Sequence, residues 1–196
     1  MINDELSFVF VHINKCGGTS VEHAFGYGGV KHHHCDWYKQ QLGLDSWDHY
    51  YKFTLVRNPY ARLVSLYSFR LKRNVRARGR EFGEWLRNAA DEDRSEHSTD
   101  SLEDRTERLM LAPMLEWITP RGGGAPELDF VARLETIHHD WLEICRRIDV
   151  TVTLPHLNRT YHLPYAQYYD SATEAWVQDH YAADFEAFGY PRHLAR

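Results

Sequence analysis

The sequence predicts an α/β sandwich with a mostly parallel central sheet and helices on both faces. Short runs rich in β-branched and aromatic residues, typical of strands buried on both faces, alternate along the chain with segments of helical periodicity. Parallel strands require such crossover helices. Because 196 residues, 43% of them hydrophobic, can bury one sizeable core, we expect a single domain over residues 1–196.

The N-terminal half contains two predicted strands and three predicted helices. Residues 7–13 form the first strand, which leads through a glycine turn into a short helix that Gly26 ends. Residues 36–44 form the next helix. Residues 51–56 form the second strand, after which Asn58 and Pro59 are typical of the N-cap and first position of a helix reaching about residue 71.

The C-terminal half continues this alternation. Helices are predicted at residues 81–89 and 105–118, a third strand at residues 128–134 with an amphipathic helix after it, and a fourth strand at residues 150–154. Residues 171–174, Ser-Ala-Thr-Glu, match a capping box. This pattern predicts that the last helix begins at Ser171 and ends at Gly189.

Composition excludes several classes of function. The formal net charge of −5 supplies no bulk positive field for a nucleic acid, so no nucleic-acid partner is expected. Cys16, Cys35 and Cys145 are too few for a four-thiolate zinc site and odd in number, which favours a reducing compartment. With no basic leader and no membrane segment in the sequence, a cytoplasmic location is predicted.

Residues 15–20, Lys-Cys-Gly-Gly-Thr-Ser, join the first strand to the first helix. This turn presents unpaired backbone N–H groups, a positive helix end, two hydroxyls and a lysine to one point, which suits a phosphate or a sulfate. The alternative is a tight turn with a solvated lysine. The pattern is not the nucleotide triphosphatase loop GxxxxGK[ST], because Lys15 precedes the glycines.

A second anion site is predicted from Arg57, at the end of the second strand, and Ser65 in the helix that follows. An arginine fork and a hydroxyl can grip a phosphate, and ligands of open α/β sheets bind at the carboxyl ends of strands. The two sites would line one crevice and accept a ligand with two separated phosphates. Taken alone, Arg57 fits a structural ion pair equally well.

The two motifs, KCGGTS at residues 15–20 and VRNPYARLVSLY at residues 56–67, resemble the two signatures of sulfotransferases that use 3′-phosphoadenosine-5′-phosphosulfate (PAPS). The similarity is greatest to the carbohydrate-type branch, which includes heparan sulfate 2-O-sulfotransferase and the chondroitin and dermatan enzymes. Residues 129–135, 154–158 and 181–185 extend it, although Asn14 stands where the family usually has proline.

The resemblance implies a P-loop-like three-layer sandwich and a role for each motif. One group would hold the 5′-phosphosulfate of PAPS: Lys15, Cys16, Gly17, Gly18, Thr19 and Ser20. Arg57 and Ser65 would bind the 3′-phosphate, and Lys15 would also stabilise the leaving phosphate. The implied product is adenosine 3′,5′-bisphosphate (PAP).

The histidine cluster His32-His33-His34 lies between the two motifs, where the family has its catalytic histidine segment. Histidine suits general-base catalysis because its ordinary pKa lies near neutrality. We expect His32 first and His34 second as the base, since alternate residues of an extended segment face the same way. The alternatives are a solvated loop and a metal site with Cys35. No metal is predicted, because adjacent residues seldom converge on one ion.

The predicted function is transfer of a sulfuryl group from PAPS to a hydroxyl of a saccharide-like acceptor, by in-line displacement without metal. Two other functions stay open at this point. A nucleotide kinase on a similar scaffold is disfavoured by the missing GK[ST] and by the lack of a clear magnesium carboxylate. A non-catalytic binding module is compatible with the fold, because a fold does not by itself establish activity.

Overall fold

The computed structural model describes residues 1–29, 32–72, 81–94, 110–155, 157 and 163–194. The chain divides into two compact units. The first consists of Met1–Arg57 and Met114–Arg159, and the second of Asn58–Pro113 and Thr160–Arg196. Both units are assembled from segments distant in the sequence, and each is described by itself.

The first unit contains a four-stranded sheet. Its strands are β1 (Ile2–Asn3), β2 (Phe8–Val11), β3 (Tyr51–Val56) and β4 (Phe130–Arg133), and they lie in that order. β1 is antiparallel to β2, whereas β2, β3 and β4 are parallel. The predicted α/β fold with a mostly parallel sheet flanked by helices is confirmed.

The helices with described bounds are α1 (Gly18–Ala24), α2 (Cys35–Leu42), α3 (Leu44–His49), α4 (Pro59–Lys72), α5 (Phe82–Arg94), α6 (Met114–Ile118), α7 (Ile137–Arg147), α8 (Ser171–His180) and α9 (Ala182–Phe188). Single 3-10 turns occupy Leu134–Thr136 and Tyr165–Tyr168. In the first unit, α2 packs on β2 and α7 packs on β4.

β2 is the centre of the first unit's core. All four of its residues are buried, as its uninterrupted apolar sequence predicts for a strand covered on both faces. The ring of Phe8 lies 5.6 Å from that of Phe53 on β3 and 4.9 Å from that of Phe25 at the end of α1. Phe25 in turn lies 5.9 Å from Trp141 of α7, so aromatic contacts tie two helices to the sheet.

The prediction of a strand at residues 150–154 is wrong. The backbone carbonyl of Val152 accepts a hydrogen bond from Trp141 Nε1 at 2.7 Å and is approached by Cys145 Sγ at 3.7 Å. This segment therefore contacts side chains of α7 and is not paired with a neighbouring strand. β1, which the sequence analysis does not predict, completes the sheet.

Two predicted helices of the first unit have different bounds in the structure. The helix expected at residues 36–44 ends at Leu42, and α3 begins directly after Gly43, whose positive φ of 76° breaks the helical path. The helix expected at residues 105–118 is interrupted, because residues 110 and 111 are helical, residues 112 and 113 are not, and α6 begins at Met114 directly after Pro113. Residues 105–109 lie outside the described residues.

The second unit packs around α4, and the predicted start of this helix is confirmed. The Asn58 side-chain oxygen accepts hydrogen bonds from the backbone N–H groups of Tyr60 at 3.0 Å and Ala61 at 3.3 Å. The core of the second unit consists of buried apolar side chains, namely Tyr60, Leu63, Val64, Leu66, Tyr67, Phe82, Trp85, Leu86, Leu111, Val177, Tyr181 and Phe185. The buried Arg62 donates to the carbonyls of Ala112 at 2.9 Å and Met110 at 3.2 Å.

The last helix begins at Ser171 and is ended by Gly189 as predicted, but its N-cap residue and its continuity differ from the prediction. The N-cap is Asp170 and not Ser171, because Asp170 Oδ1 accepts from the Thr173 N–H at 2.8 Å while Thr173 Oγ1 accepts from the Asp170 N–H at 3.0 Å. The helix is also divided at Tyr181 into α8 and α9. Gly189, with a φ of 63°, ends α9 as expected.

Within the described ranges, no helix combines the length and the apolar character that crossing a bilayer requires.

Replacing Asp170 with alanine tests the observed cap. We expect the free energy of unfolding to fall by about 1 kcal/mol, because the Thr173 N–H loses its carboxylate acceptor. Urea denaturation measures the change. Asp179→Ala, an exposed carboxylate in the same helix, is the matched control and should change stability by less than about 0.5 kcal/mol. Equal losses for the two variants would contradict the assignment of the cap.

Candidate active site

The loop between β2 and α1 has the backbone of an anion-binding turn. Lys15 has a φ of 62° and Gly17 a φ of 90°, so two residues in left-handed conformation stand on either side of Cys16. Alternation of this kind turns successive N–H groups toward one concave point. At the start of α1, the N–H groups of Gly18 and Thr19 precede the first hydrogen bond of the helix, which Ser20 donates to the Gly17 carbonyl at 3.0 Å. The loop therefore offers several backbone donors to one ligand.

Gly18 is required by the side chain beneath it. A Cβ atom at Gly18 would lie 2.3 Å from Cδ2 and 2.4 Å from Nε2 of His12, far inside van der Waals contact. At Gly17, both the positive φ and Leu134 Cδ1, 2.8 Å from the Cβ position, disfavour any other residue. The glycine pair thus allows the loop to lie directly on the core.

The side chains of the loop differ in what they can offer. The Cys16 thiol is fully buried, with Sγ 3.5 Å from the Asn14 carbonyl oxygen and 3.6 Å from Met114 Sδ, so only its backbone can face a ligand. Lys15 is half-buried and Thr19 is exposed. The Ser20 hydroxyl accepts a hydrogen bond of 3.4 Å from the backbone N–H of Leu157.

Arg57 lies beside this loop. It directly follows β3, the parallel neighbour of β2, and its Nη1 donates to the carbonyl oxygen of Lys15 at 3.4 Å. The two predicted motifs therefore meet at Arg57 and Lys15, as expected for the carboxyl ends of adjacent parallel strands. Ser65 belongs to the second unit, where it is buried within α4.

His32 is held through its backbone and its ring. Its φ of 61° is left-handed, so the segment is not extended at this residue and the expected alternation does not apply there. Nδ1 lies 3.1 Å from the carbonyl oxygen of His12. Because a carbonyl only accepts, this hydrogen bond requires the proton on Nδ1 and makes Nε2 the basic nitrogen of the neutral ring.

His34 has a different position, at the N-terminus of α2. Its Nδ1 accepts a hydrogen bond from the Asp36 backbone N–H at 3.1 Å, so the ring caps the helix. Burial lowers the pKa of His34, and the Asp36 carboxylate partly opposes that shift. His33 stacks on Trp37 with ring centroids 3.9 Å apart, and burial lowers its pKa also.

One cluster in the described part of the chain has the residue types of a metal site. The ligand atoms of His34, Cys35 and Asp36 lie within 4.8 Å of one another, although the sequence analysis expects adjacent residues not to converge. Burial, followed by the nearby Asp36 carboxylate, raises the pKa of Cys35 to about 12, which keeps the thiol protonated. His34 Nδ1 also accepts the hydrogen bond that caps α2.

A buried histidine–glutamate pair underlies the loop, and the sequence analysis did not predict it. His12 Nδ1 lies 2.7 Å from Glu22 Oε1 of α1, and the two side chains are only 3% and 2% exposed. The sequence contains a signal that His12 faces the core, because positions 8, 10 and 12 alternate along one extended segment and the first two are phenylalanine. The Phe10 and His12 rings lie 5.5 Å apart, which confirms that they share a face.

The match of the sulfotransferase family model to residues 1–191 covers nearly the whole chain and reaches both units. The chain belongs to the sulfotransferase family. No curated protein and no solved structure matches it. Family membership makes this sulfotransferase a transferase of sulfuryl groups.

Adding one methyl group at Gly18 tests the close approach of His12. We expect Gly18→Ala to lower the free energy of unfolding by about 1–3 kcal/mol, because the buried imidazole has to move. Urea denaturation measures the loss. In Gly28→Ala, the added Cβ meets no atom within 4 Å, and the change should stay below about 0.5 kcal/mol. A Gly18→Ala protein as stable as the control would contradict the packing described.

Proposed function

We propose that this sulfotransferase transfers the sulfuryl group of PAPS to a hydroxyl of a saccharide acceptor and releases PAP, and that residues 1–196 act as one catalytic domain. The observation that carries the proposal is the contact between Arg57 and the carbonyl of Lys15. This contact joins the two motifs that resemble the donor-binding signatures. The family match across both units supports a single domain.

The loop fits the phosphosulfate end of PAPS. Its backbone N–H groups and the Lys15 charge suit a group rich in anionic oxygens. The proposed donor-binding residues are Lys15, Cys16, Gly17, Gly18, Thr19 and Ser20. Cys16 serves through its backbone because its thiol is buried. Arg57 and Ser65 are proposed to bind the 3′-phosphate of the donor.

When bound, PAPS supplies the sulfuryl group and a phosphate leaving group. Lys15 is proposed to lie beside that phosphate and to offset the negative charge that develops on it. The remaining requirement is a base for the acceptor hydroxyl. His32 fits this role because the His12 carbonyl fixes the proton on Nδ1 and leaves Nε2 to accept one.

His34 is the second proposed catalytic residue. Its Nδ1 is committed to the Asp36 N–H, so a role as base would have to use Nε2 after loss of its proton. The lowered pKa that follows from burial favours the neutral ring but leaves this proton in place. The geometry therefore favours His32 as the base and gives His34 the task of holding the segment at α2.

The saccharide acceptor is proposed from the resemblance to the carbohydrate-type branch, which extends through residues 129–135 and 181–185. The net charge of −5 is also more compatible with a hydroxyl-bearing acceptor than with a nucleic acid. The sulfuryl group is transferred directly to the hydroxyl oxygen, without a metal ion.

Calorimetric titration with PAP tests the donor site. We expect micromolar binding that magnesium does not change and that ATP does not match, because the loop lacks the lysine position of a nucleotide triphosphatase. Arg57→Ala should weaken PAP binding at least about tenfold, since a charge-assisted hydrogen bond is lost. Arg121→Ala removes an exposed guanidinium of the same unit and should leave affinity unchanged within about twofold. No PAP binding by the wild type would refute the proposal.

Separate measurements of rate and affinity test the base. Sulfate transfer from labelled PAPS to desulfated heparin and to chondroitin gives the rate, and PAP titration gives the affinity. We expect His32→Ala to lower the rate about 10²–10⁴-fold with PAP affinity within about threefold of wild type. His34→Ala should lower the rate less. If His34→Ala alone abolishes transfer, the base is His34 instead.

A further inference from the structure

His12 and Glu22 form a hydrogen-bonded polar pair in the core of the first unit. Glu22 faces the core from α1, and only 1% of the residue is exposed. Burying a carboxylate is costly even when it is paired, and apolar residues of similar volume often stabilise a protein as well or better. Stability alone therefore does not account for this pair.

Glu22 determines how the His12 ring is oriented. An ionised carboxylate only accepts hydrogen bonds, so the 2.7 Å contact places the proton of His12 on Nδ1. The opposite edge of the ring, with Cδ2 and Nε2, lies under Gly18, where no Cβ obstructs it. The imidazole is thus held between a carboxylate on one side and a glycine on the other.

His12 in turn holds His32. Its carbonyl oxygen lies 3.1 Å from His32 Nδ1, and the two ring centroids are 4.4 Å apart at an angle of 59°. His32 also meets Trp117 edge-on at 6.4 Å. The ring of His32 consequently rests on a ring whose own orientation Glu22 sets.

We propose that Glu22 and His12 form a positioning dyad for the sulfuryl transfer reaction: Glu22 orients the imidazole of His12, and that imidazole supports the ring of His32, whose proton the backbone carbonyl of His12 holds on Nδ1. The inference rests on the proposed function, in which His32 is the base. Neither member of the dyad is assigned contact with the donor or the acceptor, so both act through His32.

Three variants of the whole chain test the dyad. Glu22→Leu removes the partner of His12, and Glu22→Gln restores an oxygen that accepts from His12 Nδ1. The matched control is Glu127→Leu, which removes a carboxylate bound to Lys39 Nζ at 2.6 Å and Trp47 Nε1 at 2.9 Å in the same unit. The double variant His12→Phe with Glu22→Leu replaces the whole pair by apolar groups, so the test still works if Glu22→Leu alone does not fold.

The measurements are the ¹⁵N chemical shifts of the imidazole nitrogens, PAP affinity, and transfer from labelled PAPS to desulfated heparin or chondroitin. The spectrum of His12→Gln identifies the His12 signals. We expect Glu22→Leu to lose the single Nδ1–H tautomer of His12. Glu22→Leu and the double variant should both transfer at least about tenfold more slowly, with PAP affinity within about threefold of wild type. Glu22→Gln and Glu127→Leu should behave as wild type.

The outcomes separate this inference from the proposed function. If the wild type does not bind PAP, the donor site is wrong, whereas the nitrogen shifts still report on the dyad. If the wild type binds PAP and folded Glu22→Leu keeps the transfer rate, the dyad has no positioning role. A Glu22→Gln protein as impaired as Glu22→Leu would also overturn the inference, since orientation alone would then not suffice.

Discussion

The parallel pairing of β2 with β3 is the interaction on which the described site depends. Val11 pairs with Thr54, and the buried Thr54 hydroxyl donates to the Val11 carbonyl at 2.7 Å. Because parallel strands end at the same edge of a sheet, this register places the loop after β2 beside Arg57 after β3. The contact between Arg57 Nη1 and the Lys15 carbonyl is a consequence of it. A shift of one residue would turn the alternating side chains of β2, including the position of His12, to the other face.

Close packing beneath the loop is the second constraint. The loop can lie on the core because two successive residues have no side chain, and the space at Gly18 is taken by the His12 imidazole. That imidazole is itself fixed by Glu22. The anion loop and the histidine segment are therefore not independent, since one buried ring contacts both. This contact with both segments accounts for a polar pair at a position where apolar residues of similar volume often give equal or greater stability.

The three consecutive histidines illustrate how neighbours in sequence acquire different roles. His32 donates to a carbonyl 20 residues earlier in the chain, His33 stacks on Trp37, and His34 caps α2. Because the backbone of His32 is left-handed, its side chain does not follow the alternation of an extended segment. A hydrogen bond fixes the tautomer in each of two rings, and it makes opposite nitrogens the acceptor in them. The three side chains are chemically identical, and they differ in the groups that they contact.

Features that depend on interactions within a few residues could be predicted from the amino-acid sequence. The buried strands, the glycine turn, the Asn58 cap and the stop at Gly189 follow from periodicity, backbone freedom and side-chain caps within a few residues. The two motifs likewise indicated the family that the match over residues 1–191 establishes. These predictions needed no knowledge of which distant residues meet.

The remaining features depend on contacts between segments that are distant in the sequence. Residues 150–154 have the composition of a strand, yet the carbonyl of Val152 contacts the side chains of Trp141 and Cys145 instead of a neighbouring strand. The fourth strand of the sheet is β1. The His12–Glu22 pair, the tautomer of His32 and the contact of Arg57 with the loop all join atoms from separate segments. Local propensity carries no information about such contacts, because they arise when the sheet register and the core packing bring those segments together.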